Sequence, residues 1–490
     1  MVTQAGDHAM HVAGAWTNGT GRPRMEATSP ATGEVLGTVP EGTREDVRAA
    51  IASANESWTG WAALSPFERA ACMARVVELV HERRDQLARV LTLDQGKPLH
   101  AESYAEVDEL AEYFRMAGED AKRLEGTMPP STDAAKRILA YRVPRGVVGV
   151  ITPWNWPYTM PAELIAPALA SGNAVVWAPA PTTSLCAVEL ARCIVDAGVP
   201  AGVFNMVTGK GPVVGDEIAA HPGTTTVAFI GSIATGQKVA RRAAGKGLLL
   251  EMGGNGPVVV LEDADLDAAA RASLESAFLC AGQSCTAGER WLVHEDVHDD
   301  FVRRLEAEVK AGVRLGDPME PGTTIGPLNN EATAVKMDRH IADAVEGGAR
   351  IVAGGARAGG FPTSLFYEPT VLDLVTHGME VAREETFGPV VPVSAIASDA
   401  EALEVVNGSP YGLLASVWTR DLARGLRFAE AARSGWVNIN ESSNYWESHL
   451  PFGGRAGSAS GVGRVGGRHP METFTELKTV VVNLTPAVPS

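Results

Sequence analysis

From about residue 140 the chain begins to alternate short β-branched runs with helical ones. "RGVVGVIT", "NAVVWA", "FNMVT", "TVAFIG" and "LLLEM" read as strands, with "LCAVELARCIVDAG", "VGDEIAAH" and "GQKVARRAAG" as the helices between them. No other feature constrains the fold as tightly. Strands separated by helices cross over right-handedly and pair in parallel, giving a mostly parallel sheet with helices on both faces, the dinucleotide-binding type of architecture. A second alternating series starts near 257 with "PVVVLED", continues through "ERWLVHE" and the helix "DDFVRRLEAEVKAGV", and runs to about 435. Two α/β domains are therefore expected. The first hundred or so residues read as helix-rich: "REDVRAAIASANESWTGWAAL" and "PFERAACMARVVELVHERRDQLARVLTLD" carry apolar residues at i, i+3, i+4 and i+7. A length of 490 residues suits two or three packed domains. The Gly-rich "PFGGRAGSASGVGRVGG" at 451 to 467 reads as a loop.

Within this frame "GNAVVWAPAPTTS", 172 to 184, has the layout of a nucleotide-binding turn. A strand breaks at Pro179 and Pro181 and a Thr/Ser run opens a helix, yet the turn has no Lys, Arg, Asp or Glu. Two other motifs are weaker. "GSIATGQK" has Walker-like glycine spacing without the G-K-[ST] ending, and "DADLD" has Ala268 where a calcium loop needs Gly for its sharp turn.

A net charge of −17 argues against nucleic acid or an anionic membrane as partner. No uncharged apolar run approaches the roughly 18 to 20 residues of a membrane span, and the N-terminus has no signal pattern. The five cysteines, Cys72, Cys186, Cys193, Cys280 and Cys285, show no ligand spacing and are odd in number. Neither a metal site nor a disulfide framework is expected, and a cytoplasmic setting fits.

Three stretches carry chemistry. Cys285 in "GQSCTAGER" lies among small and polar residues after a helical segment, where a thiol could meet a ligand; buried filler is the alternative. Glu251 in "LLLEMGGNGP" follows apolar residues at a strand end, where desolvation would raise its pKa toward that of a general base; a capping or salt-bridged Glu reads equally well. Asn155 in "ITPWNWP" could donate to an oxyanion or simply serve the turn.

Together these resemble the aldehyde dehydrogenase superfamily: Asn155 in P-W-N-x-P, Glu251 in L-E-x-G-G, and Cys285 in G-Q-x-C, 34 positions on (285 minus 251). "LDQGKP", "FIGSIATG", "EETFGPVV" and "LPFGG" follow in the family's order, so the resemblance covers nearly the whole chain. It implies a Rossmann-like cofactor domain (1–120 and 141–250), an α/β catalytic domain (251–435), and a small β oligomerisation element (121–140 and 470–490). Residues 436–469 return to the cofactor domain and form a substrate-entry loop. A homodimer or homotetramer is implied.

The implied reaction is NAD(P)-dependent oxidation of an aldehyde to the carboxylic acid. Cys285 is the nucleophile, Asn155 an oxyanion donor and Glu251 the base that hydrolyses the thioester. NAD, with NADP possible, would lie along Ile151, Thr152, Pro153, Trp154, Ala178, Pro179 and Pro181, and along Gly211, Gly231, Ser232, Gly253, Glu385 and Phe387. The substrate tunnel would include Trp156, Tyr158, Met160, Ser284, Thr286, Tyr445 and Trp446. Its aromatic lining suggests an apolar or aromatic aldehyde, and the absence of an Arg pair disfavours a carboxylated one, with Arg455 the exception to examine.

The chain departs from the family pattern at Ala178, usually Lys, and Pro181, often Glu, both ribose contacts, leaving Thr182, Thr183 and Ser184 as candidate donors. Leu164 and Asn255 replace further lysines, and Val465 stands where Glu is common. Pro181 and the glycine-rich tail look more like the benzaldehyde-dehydrogenase-like branch. Two rivals remain at this point. One is a CoA-acylating relative, against which Glu251 argues. The other is a non-redox thiol hydrolase or ligand-binding protein on the same fold.

Overall fold

A computed structural model describes residues 6–19 and 21–485; the outer ends of the expected 1–120 and 470–490 segments lie outside the described residues. The larger sheet has eight strands, and its parallel centre runs Gly247–Met252, Thr226–Gly231, Val147–Ile151, Ala174–Ala178, Phe204–Met206 in space. Chain order runs outward from Val147–Ile151 in one direction, then resumes on its other side with Thr226–Gly231. The sheet therefore reverses between those two strands, and the crevice beyond their carboxyl ends is where such sheets hold ligands. Antiparallel strands Gly461–Val462 and Met10–Val12 flank the parallel centre.

The second sheet has seven strands, parallel except for the edge pair Arg350–Ala353 and Thr370–Asp373. Its centre is Val390–Ile396, Gly288–His294, Gly256–Val260 and Leu414–Trp418. The strands are buried along nearly their whole length, as sheets covered on both faces require, although Gly288–His294 carries Glu289 and Arg290. Only Gly253, Gly254 and Asn255 separate Met252 of the first sheet from Gly256 of the second. Thr475–Asn483 pairs antiparallel with Lys136–Pro144 in a two-stranded ribbon exposing Leu477, Val481 and Val482.

Several boundaries differ from the sequence reading. The N-terminal region is not purely helical: strands Met10–Val12, Ala15–Thr17, Arg24–Thr28 and Val35–Pro40 precede the first helix, too short and polar to show a period. The long helical stretch breaks at Arg83, whose non-helical backbone re-aims Arg84–Gln95 so that Leu87, Ala88 and Leu91 are buried. Trp436–Ile439 lies past 435 yet pairs with Leu414–Trp418, and Lys136–Pro144 runs past 140, because strand pairing rather than composition ends those units. Glu251 lies on the first sheet, although it opens the expected catalytic segment.

The helices Pro66–Glu82, Tyr104–Ala121 and Thr159–Ala170 pack together. Ser65 and Glu68 form a capping box at the start of the first, with Pro66 in its first turn.

Candidate active site

The loop that leads to Cys285 begins with backbone strain. After the Leu266–Phe278 helix, Cys280, Ala281 and Gly282 have φ of 54°, 54° and 72°, a left-handed run costly for the two L-residues. Specific bonds hold it. The Glu102 carboxylate accepts the Cys280 N–H at 3.0 and 3.1 Å, and Gln283 Nε2 donates to the Cys280 carbonyl at 2.8 Å. At Gly282 a Cβ would lie 2.2 Å from the Gly388 carbonyl oxygen, so only glycine fits. The loop then emerges at Ser284, Cys285 and Thr286. Cys285 is half-buried, and among the described residues its N–H has no partner. Thr286 Oγ1 donates to Asn444 Oδ1 at 2.5 Å.

Glu251 comes from the other sheet. It is 4% exposed, and its Oε1 makes no hydrogen bond among the described residues. Burial pushes its pKa up to about 8, opposed by a hydrogen bond with Cys285 and reinforced by Glu385. The Cys285 thiol is raised as well, by burial first and then by Glu251. Acid and thiol thus adjoin, and burial favours the protonated form of each. Asn155, also buried, donates from Nδ2 to the Gln283 carbonyl at 2.9 Å. One amide hydrogen remains after that bond, although Asn155 itself does not line the cavity.

The residues expected at the cofactor gather beyond the carboxyl ends of the parallel strands. Ile151 to Trp154 follow the central strand, Ala178 to Pro181 its neighbour, Gly231 and Ser232 the strand across the reversal, and Gly253 the next; Gly211 opens the helix after Phe204–Met206. The Ile233–Arg242 helix starts three residues before "GQKVARRAAG" because Ser232 is its N-cap. The Ser232 hydroxyl bonds Thr235 rather than the backbone, so the helix's first N–H groups have no side-chain cap and suit a pyrophosphate.

From the facing sheet, Glu385 Oε1 accepts the Gly254 N–H at 2.9 Å, and a Cβ on Gly253 would lie 2.5 Å from that carboxylate. Phe387, at φ 60°, has its backbone N–H bound by Glu289 and meets Trp154 edge-on at 5.7 Å. Burial raises Glu385 to about 7, with Lys336 opposing. An open helix N-terminus, a polar clamp and an aromatic wall fit a nicotinamide dinucleotide. At the ribose turn, Thr183 and Ser184 are buried and only Thr182 is exposed, which removes two of the three expected hydroxyl donors.

Cys285 and Glu251 line a cavity of about 710 Å³ together with Trp156, Met160, Ser284, Thr286, Tyr445 and Trp446, six of the seven expected substrate-side residues. Tyr158 does not line it: its ring is sealed in the core and its hydroxyl donates to the Leu87 carbonyl at 3.2 Å. Arg455 is exposed and lies outside the lining. Leu164 is fully buried in the core.

The sequence reading missed Glu109, Tyr113 and Glu163, which also line the cavity. Glu102, Glu106, Glu109 and Tyr113 are spaced 4, 3 and 4 residues apart, so polar groups occupy one inward helical face. That spacing was the available signal.

The family model "Aldehyde dehydrogenase family" matches residues 16–480. The succinate-semialdehyde dehydrogenase [NADP(+)] of Escherichia coli (strain K12) is 39% identical over 476 residues, covering 96% of this chain and 97% of that protein. The betaine aldehyde dehydrogenase of Bacillus subtilis (strain 168) is 36% identical over 488 residues, covering 98% of each. The crystal structure of betaine aldehyde dehydrogenase from Staphylococcus aureus in complex with NAD+ superposes with a TM-score of 0.94 at 32% identity, covering 98% of this chain and 96% of that one.

Proposed function

Because the chain belongs to the aldehyde dehydrogenase family, and so is an NAD(P)-dependent enzyme of aldehyde oxidation, we propose that it converts its aldehyde to the free carboxylic acid through a Cys285 thioester hydrolysed by Glu251. The observation that carries this reading is the adjacency of Glu251 and Cys285 on one cavity wall. Once ionised, Glu251 accepts the thiol proton as Cys285 Sγ bonds to the aldehyde carbon. The carbonyl oxygen becomes an oxyanion, stabilised by the remaining Asn155 amide hydrogen and the unpartnered Cys285 N–H. Bound NAD(P) supplies the acceptor for the hydride that leaves the thiohemiacetal carbon. After Glu251 has released that proton to solvent, it deprotonates a water, hydroxide adds to the thioester carbonyl, and Cys285 departs as thiolate, releasing the acid.

The Trp156, Trp446 and Phe452 rings with Met160 suit an aldehyde whose body is apolar or aromatic. No Lys or Arg lines the cavity, so a carboxylated aldehyde would meet no counter-ion there. Relatives at 39% and 36% identity are named for aldehydes of opposite charge, which leaves that choice to the pocket. At the ribose turn neither a cation at 178 nor a carboxylate at 181 selects for or against a 2′-phosphate, so NAD is proposed with NADP as a second acceptor.

The test is steady-state oxidation of an aromatic and aliphatic aldehyde panel with NAD or NADP, following reduced cofactor and acid product. Acid formation without CoA, lost in Cys285→Ala, and acyl-enzyme detected by mass spectrometry in Glu251→Gln support the mechanism. A requirement for CoA, or normal turnover in Glu251→Gln, overturns it.

A further inference from the structure

Nine carboxylates line the cavity beside Cys285, and no Lys or Arg does. Most have local partners. Glu106 pairs with Lys97, Asp108 with Arg84 and Glu112 with Arg115, while Glu447 accepts the Tyr445 hydroxyl and Glu102 the Cys280 N–H. Glu251 is assigned to catalysis, and Glu275 is exposed. Glu163 and Glu109 remain.

Glu163 is 6% exposed, and its one hydrogen bond is from the Tyr113 hydroxyl at 3.3 Å. No cation pairs with it among the described residues. It lies three residues after Met160 on the Thr159–Ala170 helix, so both project from one face into the cavity. Glu109 reaches the same space from the neighbouring helix, beside the Trp446 indole. Glu251 Oε1, buried and unpartnered, adds a further oxygen acceptor to the lining. A buried carboxylate held by one neutral hydroxyl is unfavourable unless a cation compensates it. The rings of Tyr113, Trp156 and Trp446 line the same space, and aromatic faces attract cations in desolvated sites.

We propose that the aldehyde oxidised here carries a positive charge at its far end, an ω-ammonium or quaternary ammonium group, held by Glu163 and Glu109 among the Tyr113, Trp156 and Trp446 rings. This rests on the reading of the cavity as the aldehyde site and adds the substrate's charge. The Glu163 carboxyl is raised by burial first, then by Glu251 and Glu109, the direction that a bound cation would oppose. Glu163 is also close enough to raise the Cys285 thiol. Glu163 and Cys285 line the same cavity, so a single aldehyde can reach both.

The test compares kcat/KM for 4-trimethylammoniobutanal, the neutral aldehyde hexanal and succinate semialdehyde. The cationic aldehyde should lead the neutral one by roughly tenfold or more, the scale of one desolvated cation contact, and lead the anionic one by more. Glu163→Gln should shrink the cationic-to-neutral ratio, and Glu163→Lys should shift preference toward succinate semialdehyde. Should those variants not fold, choline and hexanol are compared as inhibitors of wild-type hexanal oxidation, with choline expected to compete more strongly.

Equal or better kcat/KM for hexanal or succinate semialdehyde overturns the ammonium assignment while leaving aldehyde oxidation intact. If no aldehyde is oxidised, the reading of the function fails instead. Tryptophan fluorescence titration with choline then decides the cation site: saturable binding absent with hexanol supports it, and no binding overturns it.

Discussion

Lys97 and Glu106 form an ion pair of 2.5 Å in which both side chains are fully sealed from solvent. Glu106 also accepts the Tyr158 N–H at 3.0 Å, and the Lys97 ammonium lies 3.1 Å from the centre of the Trp156 ring. The pair therefore fixes the start of the helix carrying Met160 and Glu163 and the position of a cavity wall. Removing one partner strands a buried charge, at a cost of about 3 to 5 kcal/mol, whereas removing both costs less than the two losses added. Chemical unfolding of Lys97→Met, Glu106→Gln and the double variant checks this. Additive losses would mean that the two charges are not coupled.

Gly282→Ala should depress kcat far more than it depresses the unfolding midpoint. The new Cβ would lie 2.2 Å from the Gly388 carbonyl oxygen at φ 72°, so the loop must shift and carry Cys285 with it. Thiol alkylation and turnover measured together read that displacement; unchanged kcat would show that the loop absorbs the methyl group elsewhere.

Stability should fall as pH rises from 5.5 to 8.5. Glu251 and Glu289 are raised to about 8, and Asp94, Glu102 and Glu385 to about 7, each chiefly by burial. Across that window the folded protein keeps protons that the unfolded chain, with carboxyls near their ordinary values, has released. The unfolded state thus binds fewer protons, and unfolding becomes easier as pH increases. Unfolding midpoints across the window test this, with a shallower slope expected for Glu251→Gln. A midpoint that rises with pH would contradict the sign.

Turnover limited by thioester hydrolysis should rise with pH through about 8, because Glu251 acts as base only after losing its proton. Single-turnover acyl-enzyme decay is the measurement. A decay rate independent of pH would remove Glu251 from the base role.

Ala178→Lys should tighten cofactor binding about tenfold, the worth of one hydrogen bond to a charged group. Equilibrium titration with NAD and NADP reads it. Unchanged affinity would show that the ribose is held without that position.

The sheets were legible in the sequence because their strands are largely apolar runs between turn signals, and Cys285 and Glu251 stood out because each sits at a break in the pattern. The acidic cavity wall was not. Glu109 and Glu163 lie on helices where a carboxylate ordinarily marks a solvated face, and only packing of Tyr104–Ala121 against Thr159–Ala170 turns them inward. Lys97 and Glu106 are hidden for the same reason, since charged residues are rarely buried without a partner and the partner is a tertiary fact. The early break at Arg83 and the strands before residue 40 leave too little periodicity to read.

Glu251 is anchored in one sheet and Cys285 in front of the other, with three residues bridging the sheets between Met252 and Gly256. The distance between the two side chains is therefore a gauge of how the two sheets are seated. A remote substitution that rocks one against the other would leave every element folded, yet silence the chemistry by opening a gap of an ångström.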